Sequence, residues 1–247
     1  LLLASFVRIE ARSPAPLVPA AAVKHRTLVA ANLSAFFAFS GLFSFIFLGT
    51  LLMQQVLGYS PTKTGVAWLA TSATAFAASA AAGARLVALV GVRRLLVSGL
   101  TLLAIGMLWL TRVPADAGYV TDLLPAFLLA GVGVGLCAPS AQIGALSGVS
   151  ESTSGLASGL VETMREIGGA AGVAAVSTAL VSRAGVDGFR AAFAVICVAA
   201  ALGAVIAAVA FPRGVRPAER PTIDAQPQVG TEPLVPIPVS AERHHQA

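Results

Sequence analysis

Gly155-Leu-Ala-Ser-Gly-Leu-Val-Glu-Thr-Met-Arg-Glu-Ile-Gly-Gly-Ala-Ala-Gly172 is the stretch on which the reading of this chain turns. It lies in a run from Ser152 to Ser182 that is otherwise apolar or small, yet it places Glu162, Arg165 and Glu166 within five residues. At about 100° per helical residue, Gly155, Gly159, Glu162, Glu166 and Gly169 share one narrow stripe, with Ser158 and Arg165 beside it. Leu156, Leu160, Met164 and Ile167 fall opposite. Ionisable groups inside a membrane face the bundle or a cavity, and small residues let helices approach. The pattern therefore predicts a membrane helix whose greasy side meets lipid and whose small, charged side meets a packed or wet interior.

The rest of the chain agrees with that reading. Its 247 residues are 57% hydrophobic and 11% charged, against about 25% charged in an ordinary soluble domain. Mean hydropathy is +0.85. Such a composition belongs to a polytopic, all-α membrane protein. The net charge of +5 does not indicate nucleic acid, because the basic residues stand at the ends of apolar runs, where they act as topology signals. Cys137 and Cys197 lie in different runs, without a CxxC or Cys/His neighbourhood, so neither a disulfide nor a metal site is expected. No cofactor is implied.

The chain opens on Leu1-Leu2-Leu3-Ala4, without the basic region or cleavage site of a signal peptide. Residues 1–26 read as the end of a preceding helix followed by a Pro-broken cytoplasmic linker with Lys24-His25-Arg26 at its foot, and the whole chain as a C-terminal fragment. A span needs about 20 residues. Six fit between residues 27 and 211, at about 27–53, 62–90, 95–111, 122–147, 153–182 and 191–211. Ser60-Pro61 signals the start of the second. Gly91, Arg93 and Arg94 form a basic turn before the third. In the fourth, Gly131 and Gly135 make a GxxxG pair for close packing, and Pro139 removes a backbone bond and predicts a kink. Residues 212–247 hold seven of the 14 prolines and read as a disordered cytoplasmic tail, with His244-His245 as a solvated pair.

Loop charges orient the bundle. With both ends cytoplasmic, Lys24, Arg26, Arg85, Arg93, Arg94, Arg213 and Arg216 fall inside, and Lys63, Arg112, Arg183 and Arg190 fall outside. The excess predicts a multi-pass protein of the plasma membrane with both ends of this segment cytoplasmic.

Several local motifs, in this order, resemble one family. They are Leu57-Gly58-Tyr59-Ser60-Pro61 with Gly65, the Gly91-Val92-Arg93-Arg94 turn, Gly131-x-Gly133-x-Gly135-x-x-x-Pro139, and Gly155-Leu-Ala-Ser-Gly159 followed by Arg165 and Gly168-Gly169. Phe6-Val7-x-x-Glu10-x-Arg12 with Pro16-Leu17-Val18-Pro19 precedes them. Together they resemble the C-terminal half of a major facilitator superfamily transporter, of the fourteen-helix drug:proton antiporters of the EmrB/QacA type. The resemblance covers residues 1 to about 211. It implies a six-helix bundle, a small-molecule substrate, protons as the coupling ion and an N-terminal bundle as partner. Two positions depart from the family. Ala88 and Leu89 stand where its loop motif carries an Asp and an Arg, and Glu162 and Glu166 stand where amides are more usual around Arg165.

The expected function is thus the C-terminal bundle of a proton-coupled exporter of drugs or other small molecules. Glu162, Arg165 and Glu166 are expected to line the substrate and proton pathway. Each charge at a helix centre is unfavourable by roughly 2.5–3.5 kcal/mol on insertion scales, and one Arg cannot neutralise two carboxylates. An internal ion pair is the plainer account of the same residues. Gly155, Gly159 and Gly169 are expected to pack helices. The alternatives are an importer or exporter of a specific metabolite and a non-transporting membrane subunit. An enzyme would need a nucleophile–base or metal cluster at membrane depth, and the predicted spans contain no histidine.

Overall fold

At Ser60 the chain turns back on itself. The Ser60 side chain accepts a hydrogen bond from the Lys63 amide at 3.3 Å, and Pro61, which has no amide proton to lose, takes the first helical position. Gly58, at φ +64°, makes the reversal from the preceding helix. A computed structural model describes Arg8, residues 26–147 and residues 151–211, apart from the side chains of Ala84, Glu151 and Ser152. All of them fall in one unit, residues 1–217. The expected linker and Pro-rich tail, with the histidine pair, lie outside the described residues.

Among the described residues every regular element is helical. Helix α1 spans Arg26–Leu51 and ends in a π-helical turn, Leu52–Val56. Helix α2 spans Pro61–Ala81 and continues through a second π segment, Ala82–Leu86, to Val90. Helix α3 is Val92–Leu110. A π-helical turn, Tyr119–Leu123, leads into α4, Leu124–Leu146. Helix α5 is Glu151–Val181 and α6 is Val186–Ala210.

Two helices begin earlier than the sequence suggests. Helix α3 starts at Val92 instead of Leu95, and α6 at Val186 instead of Ala191. Gly91 and Gly185 adopt φ of +87° and +58°, so each helix begins at the next residue, with one residue between α2 and α3 and four between α5 and α6. Asp187 in the first turn of α6 suits the positive end of the helix dipole and pairs with Arg190 at 2.9 Å. Arg93 and Arg94 therefore belong to a helix, not to a loop.

Four of the six helices are long and apolar enough to cross a membrane: the runs Arg26–Val56, Val92–Leu110, Tyr119–Leu146 and Val186–Ala210. The two that fall short, α2 and α5, are comparably long but rich in Ala, Ser, Thr and Gly, and α5 carries charge. They occupy different flanks. Helix α2 packs chiefly on α4, and α5 packs on α1 and α6 and more lightly on α4. Helices α3 and α6 pack together and onto α4 and α1 respectively, and their outer faces expose Ile105, Leu108, Leu202 and Val205.

The core is made by glycine approach and aromatic filling. Gly99 and Gly133 bring α3 and α4 so close that a Cβ on either would stand 2.5–2.6 Å from the other's carbonyl oxygen. Gly131 and Gly135 do the same for α4 against α2, where a Cβ would strike Thr71, Thr74 and Ala75. At the end of the bundle near Ser60, Phe45, Trp68 and Phe127 meet with centroids 4.7–5.0 Å apart, and Tyr119 adds an edge at 6.0 Å. The polar tips find partners: the Trp68 indole donates to Thr50 Oγ1 and the Tyr119 hydroxyl to the Ala67 carbonyl. Pro139 lies inside the continuous α4 and leaves the Gly135 carbonyl without its usual amide donor.

Candidate functional site

Helix α5 carries the charged group, and its seat is decided by three glycines. A Cβ at Gly168 would strike the Phe36 backbone, one at Gly169 would lie 2.6 Å from the Phe43 ring, and one at Gly172 would lie 2.5 Å from the Ser40 carbonyl oxygen. Residues 168–172 thus press α5 onto α1. One turn earlier the same face presents Arg165. Its guanidinium lies 4.0 Å from the centre of the Phe39 ring, a cation–π contact. Its Nη1 donates to Glu162 Oε2 at 2.6 Å. Its Nε is buried and has no hydrogen-bond partner.

The two carboxylates point elsewhere. Glu162 and Glu166 are exposed, and among the described residues Glu166 has no ion-pair partner. With 15 residues on either side, Glu166 is the middle residue of Glu151–Val181. The group therefore sits at half-depth on the helix, with one carboxylate neutralised by Arg165 and one free.

The buried face of α5 differs from the expected one. Ala157, Val161, Gly168, Gly172 and Val176 are buried, with Arg165 half-buried among them. That face is turned by roughly 100° from the small, charged stripe, at about 100° per residue. Gly155 and Gly159 do not pack on a neighbour within the bundle: a Cβ on either would meet nothing within 4 Å. The physical reason is that Gly168 and Gly172, rather than the earlier pair, match the ridge of Phe36, Ser40 and Phe43 on α1. Gly169 does pack, at the edge of the contact. Glu162, Glu166, Gly155 and Gly159 thus lie together on an open face.

The structure adds two polar residues that the sequence reading passed over. Gln142 on α4 donates to Ser158 Oγ at 2.9 Å, tying α4 to α5. Asn32 lies two turns before Phe39 on α1, and its side-chain oxygen is buried without a partner. An amide two turns from an aromatic in an otherwise apolar helix was a usable signal. Among the described residues no three His, Cys, Asp or Glu side chains stand together as a metal site. Cys137 and Cys197 are free thiols on different helices.

The basic turn has an unexpected structural task. Arg93 donates to the Ala208 carbonyl, and Arg26 donates to those of Val209 and Ala210 at 3.0 Å each. Two guanidinium groups from α1 and α3 thereby close the carboxyl end of α6, where backbone carbonyls lack helical partners and the dipole is negative. Arg94 remains exposed.

An apolar helical bundle of this kind invites comparison with known membrane proteins. The sequence profile of the Major Facilitator Superfamily matches residues 10–244. The chain belongs to the major facilitator superfamily. As a member of that superfamily it is a multi-pass membrane protein, and the superfamily is one of transporters rather than enzymes. Similar superfamily members include the puromycin resistance protein pur8 of Streptomyces alboniger, 36% identical over 72% of this chain and 36% of that protein. The cephamycin export protein CmcT of Amycolatopsis lactamdurans is 31% identical over 72% of this chain and 37% of its own length. The multidrug resistance protein Stp of Mycobacterium tuberculosis is 29% identical over 72% of this chain and 32% of its own. The matched region thus spans about a third of the length of these relatives. A solved structure of a bacterial homologue of the human drug peptide transporters PepT1 and PepT2 superposes with a TM-score of 0.64 at 21% identity, over 74% of this chain and 41% of that one. That likeness shows the fold.

Proposed function

We propose that this bundle is one wall of the substrate path in a proton-coupled transporter that exports drug-like small molecules across the plasma membrane. The single observation that carries the reading is the open face of α5, where Glu166 stands unpaired at mid-helix beside the Glu162–Arg165 pair. A free carboxylate at that depth is unfavourable unless it meets water, a proton or a cation. The second wall is an N-terminal bundle of the same transporter, which covers Gly155, Gly159 and the exposed face of α2. The path between two such bundles lies near the bilayer midplane. Relatives named for puromycin resistance and cephamycin export support export of small molecules as the direction and cargo class. The chain has no catalytic role in this reading.

Both ends of the bundle are assigned to the cytoplasm. Arg26, Arg85, Arg93 and Arg94 gather at the end where α1 begins and α6 stops, whereas the opposite end mixes Lys63, Arg112, Arg183 and Arg190 with Asp116, Asp122 and Asp187. The positive-inside bias supports that orientation.

The test uses inside-out vesicles holding the complete transporter, with puromycin as the probe and proton release as the signal. Glu166→Gln should abolish or shift the pH dependence of puromycin-driven proton release, and Glu162→Gln should change it less. If both variants match the wild type across pH, the charged group is structural and the assignment fails.

A further inference from the structure

Outside the α5 site, the strongest unexplained feature is a groove at the basic end of the bundle. It has a volume of about 380 Å³ and is lined by Val90, Arg93, Arg94, Val97, Ser98 and Ala208. Three elements build it. The end of α2 supplies Val90, the first two turns of α3 supply the arginines, Val97 and Ser98, and the last turn of α6 supplies Ala208. Gly91, at φ +87°, starts α3 directly after α2, which sets both guanidinium groups at the rim.

Among the described residues nothing compensates the charge of the groove. Arg93 spends one nitrogen on the Ala208 carbonyl and keeps its other donors. Arg94 has no hydrogen bond or ion pair with any described residue. Of the carboxylates whose side chains are described, Asp116, Asp122 and Asp187 lie at the opposite end, and Glu162 and Glu166 lie at mid-depth on α5, which does not line the groove. Below the rim the surface becomes apolar. Val209, Val205 and Leu202 of α6 are 69%, 59% and 52% exposed, and Ile105 of α3 is 47% exposed. They run down the outer face of two helices that are themselves long and apolar enough to cross a membrane.

A cationic, hydroxyl-bearing rim above an aliphatic track has the polarity of a glycerophospholipid inverted. We infer that the Arg93–Arg94 groove binds the phosphate headgroup of an anionic phospholipid, whose acyl chains lie along the outer face of α3 and α6. Arg94 makes the charge-assisted contact, Ser98 donates its hydroxyl, and the spare Arg93 donors close the other side. Basic pockets between membrane helices recognise anionic headgroups by these means. The bound lipid would also hold Arg93 against the end of α6. The inference needs only the membrane bundle and stands apart from the direction and cargo of transport.

The test is thermal unfolding of the complete transporter in detergent, with dioleoyl phosphatidylglycerol or phosphatidylcholine added. Phosphatidylglycerol should raise the unfolding midpoint of the wild type above that in phosphatidylcholine. Arg94→Gln should leave the phosphatidylcholine midpoint unchanged, because Arg94 has no partner among the described residues, and should weaken phosphatidylglycerol binding roughly five-fold, as expected for loss of one Arg near an anionic headgroup. Arg94→Lys should restore most of the effect. Ser98→Phe, which fills the groove and keeps its charge, should remove the effect as well. An increment retained in full by both Arg94→Gln and Ser98→Phe overturns the proposal. So does an equal effect of the two lipids, or a full increment from soluble glycerol phosphate, which would make the site one for free phosphate. An increment that emerges only after residues 218–247 are removed would assign the groove to Glu219, Asp224, Glu232 or Glu242 of the tail, and would also overturn it.

Discussion

Arg93 donates a hydrogen bond to the carbonyl oxygen of Ala208, so a residue in the first turn of α3 closes α6. Together with Arg26, which reaches the next two carbonyls, it fastens three helices at the basic end of the bundle. A motif that reads in sequence as a cytoplasmic turn is thus also a helix cap. Arg93→Ala should lower stability by about 1–2 kcal/mol, because the charged hydrogen bond to the Ala208 carbonyl is lost at the negative end of the helix dipole. Thermal unfolding in detergent measures it. An unchanged midpoint in both Arg93→Ala and the Arg26→Ala, Arg93→Ala pair would mean that water serves these carbonyls equally well.

Glycines of α5 that look alike in sequence should differ in effect. Gly168→Ala forces a methyl group onto the Phe36 backbone, which cannot swing aside, and overpacking of that kind costs about 1–3 kcal/mol. Gly159→Ala places its methyl in open space within this bundle and improves helix propensity. The order of unfolding midpoints, with Gly168→Ala well below Gly159→Ala, is the check, and a reversed order would contradict the seating of α5 on α1.

The aromatic cluster fixes the opposite end. Phe127 is 1% exposed and touches Phe45, Trp68 and Tyr119. Phe127→Ala should destabilise by about 3–5 kcal/mol. Trp68→Phe, which keeps an aromatic ring and forfeits the hydrogen bond to Thr50, should cost only about 1 kcal/mol. Equal losses for the two would show that the cluster is held by its polar tips instead of its rings.

Arg165 and Phe39 should prove energetically coupled. A double-mutant cycle of Phe39→Leu with Arg165→Gln isolates the cation–π contact, expected at about 0.5–2 kcal/mol. Strict additivity in unfolding would remove Phe39 as the residue that positions Arg165.

Orientation has a direct chemical check. Single cysteines at Ser60 and Ser240, in a cysteine-free complete transporter, should respond differently to an impermeant thiol reagent applied from outside. Ser60→Cys should label and Ser240→Cys should not. The reverse pattern would invert the bundle.

The sequence by itself determined the class of this protein and the place of its charged residues along one helix. Those features are local. Apolar run length, Ser60-Pro61, the GxxxG of α4 and the position of Glu162, Arg165 and Glu166 along one helix all follow from composition and 3.6-residue geometry. Tertiary structure decided which way α5 is rotated. The stripe shared by Gly155, Gly159, Glu162 and Glu166 has the residue types of a packed face, but close approach depends on a complementary ridge, and only Gly168, Gly169 and Gly172 meet Phe36, Ser40 and Phe43 on α1. The Glu162–Arg165 pair, three residues apart on one helix, is a local contact that the sequence allowed, and among the described residues Glu166 has no ion-pair partner. Tertiary structure also gave Arg93 and Arg26 their partners, 115 and about 184 residues away, because a helix end accepts cations by where it lies in space and not by where it lies in the chain.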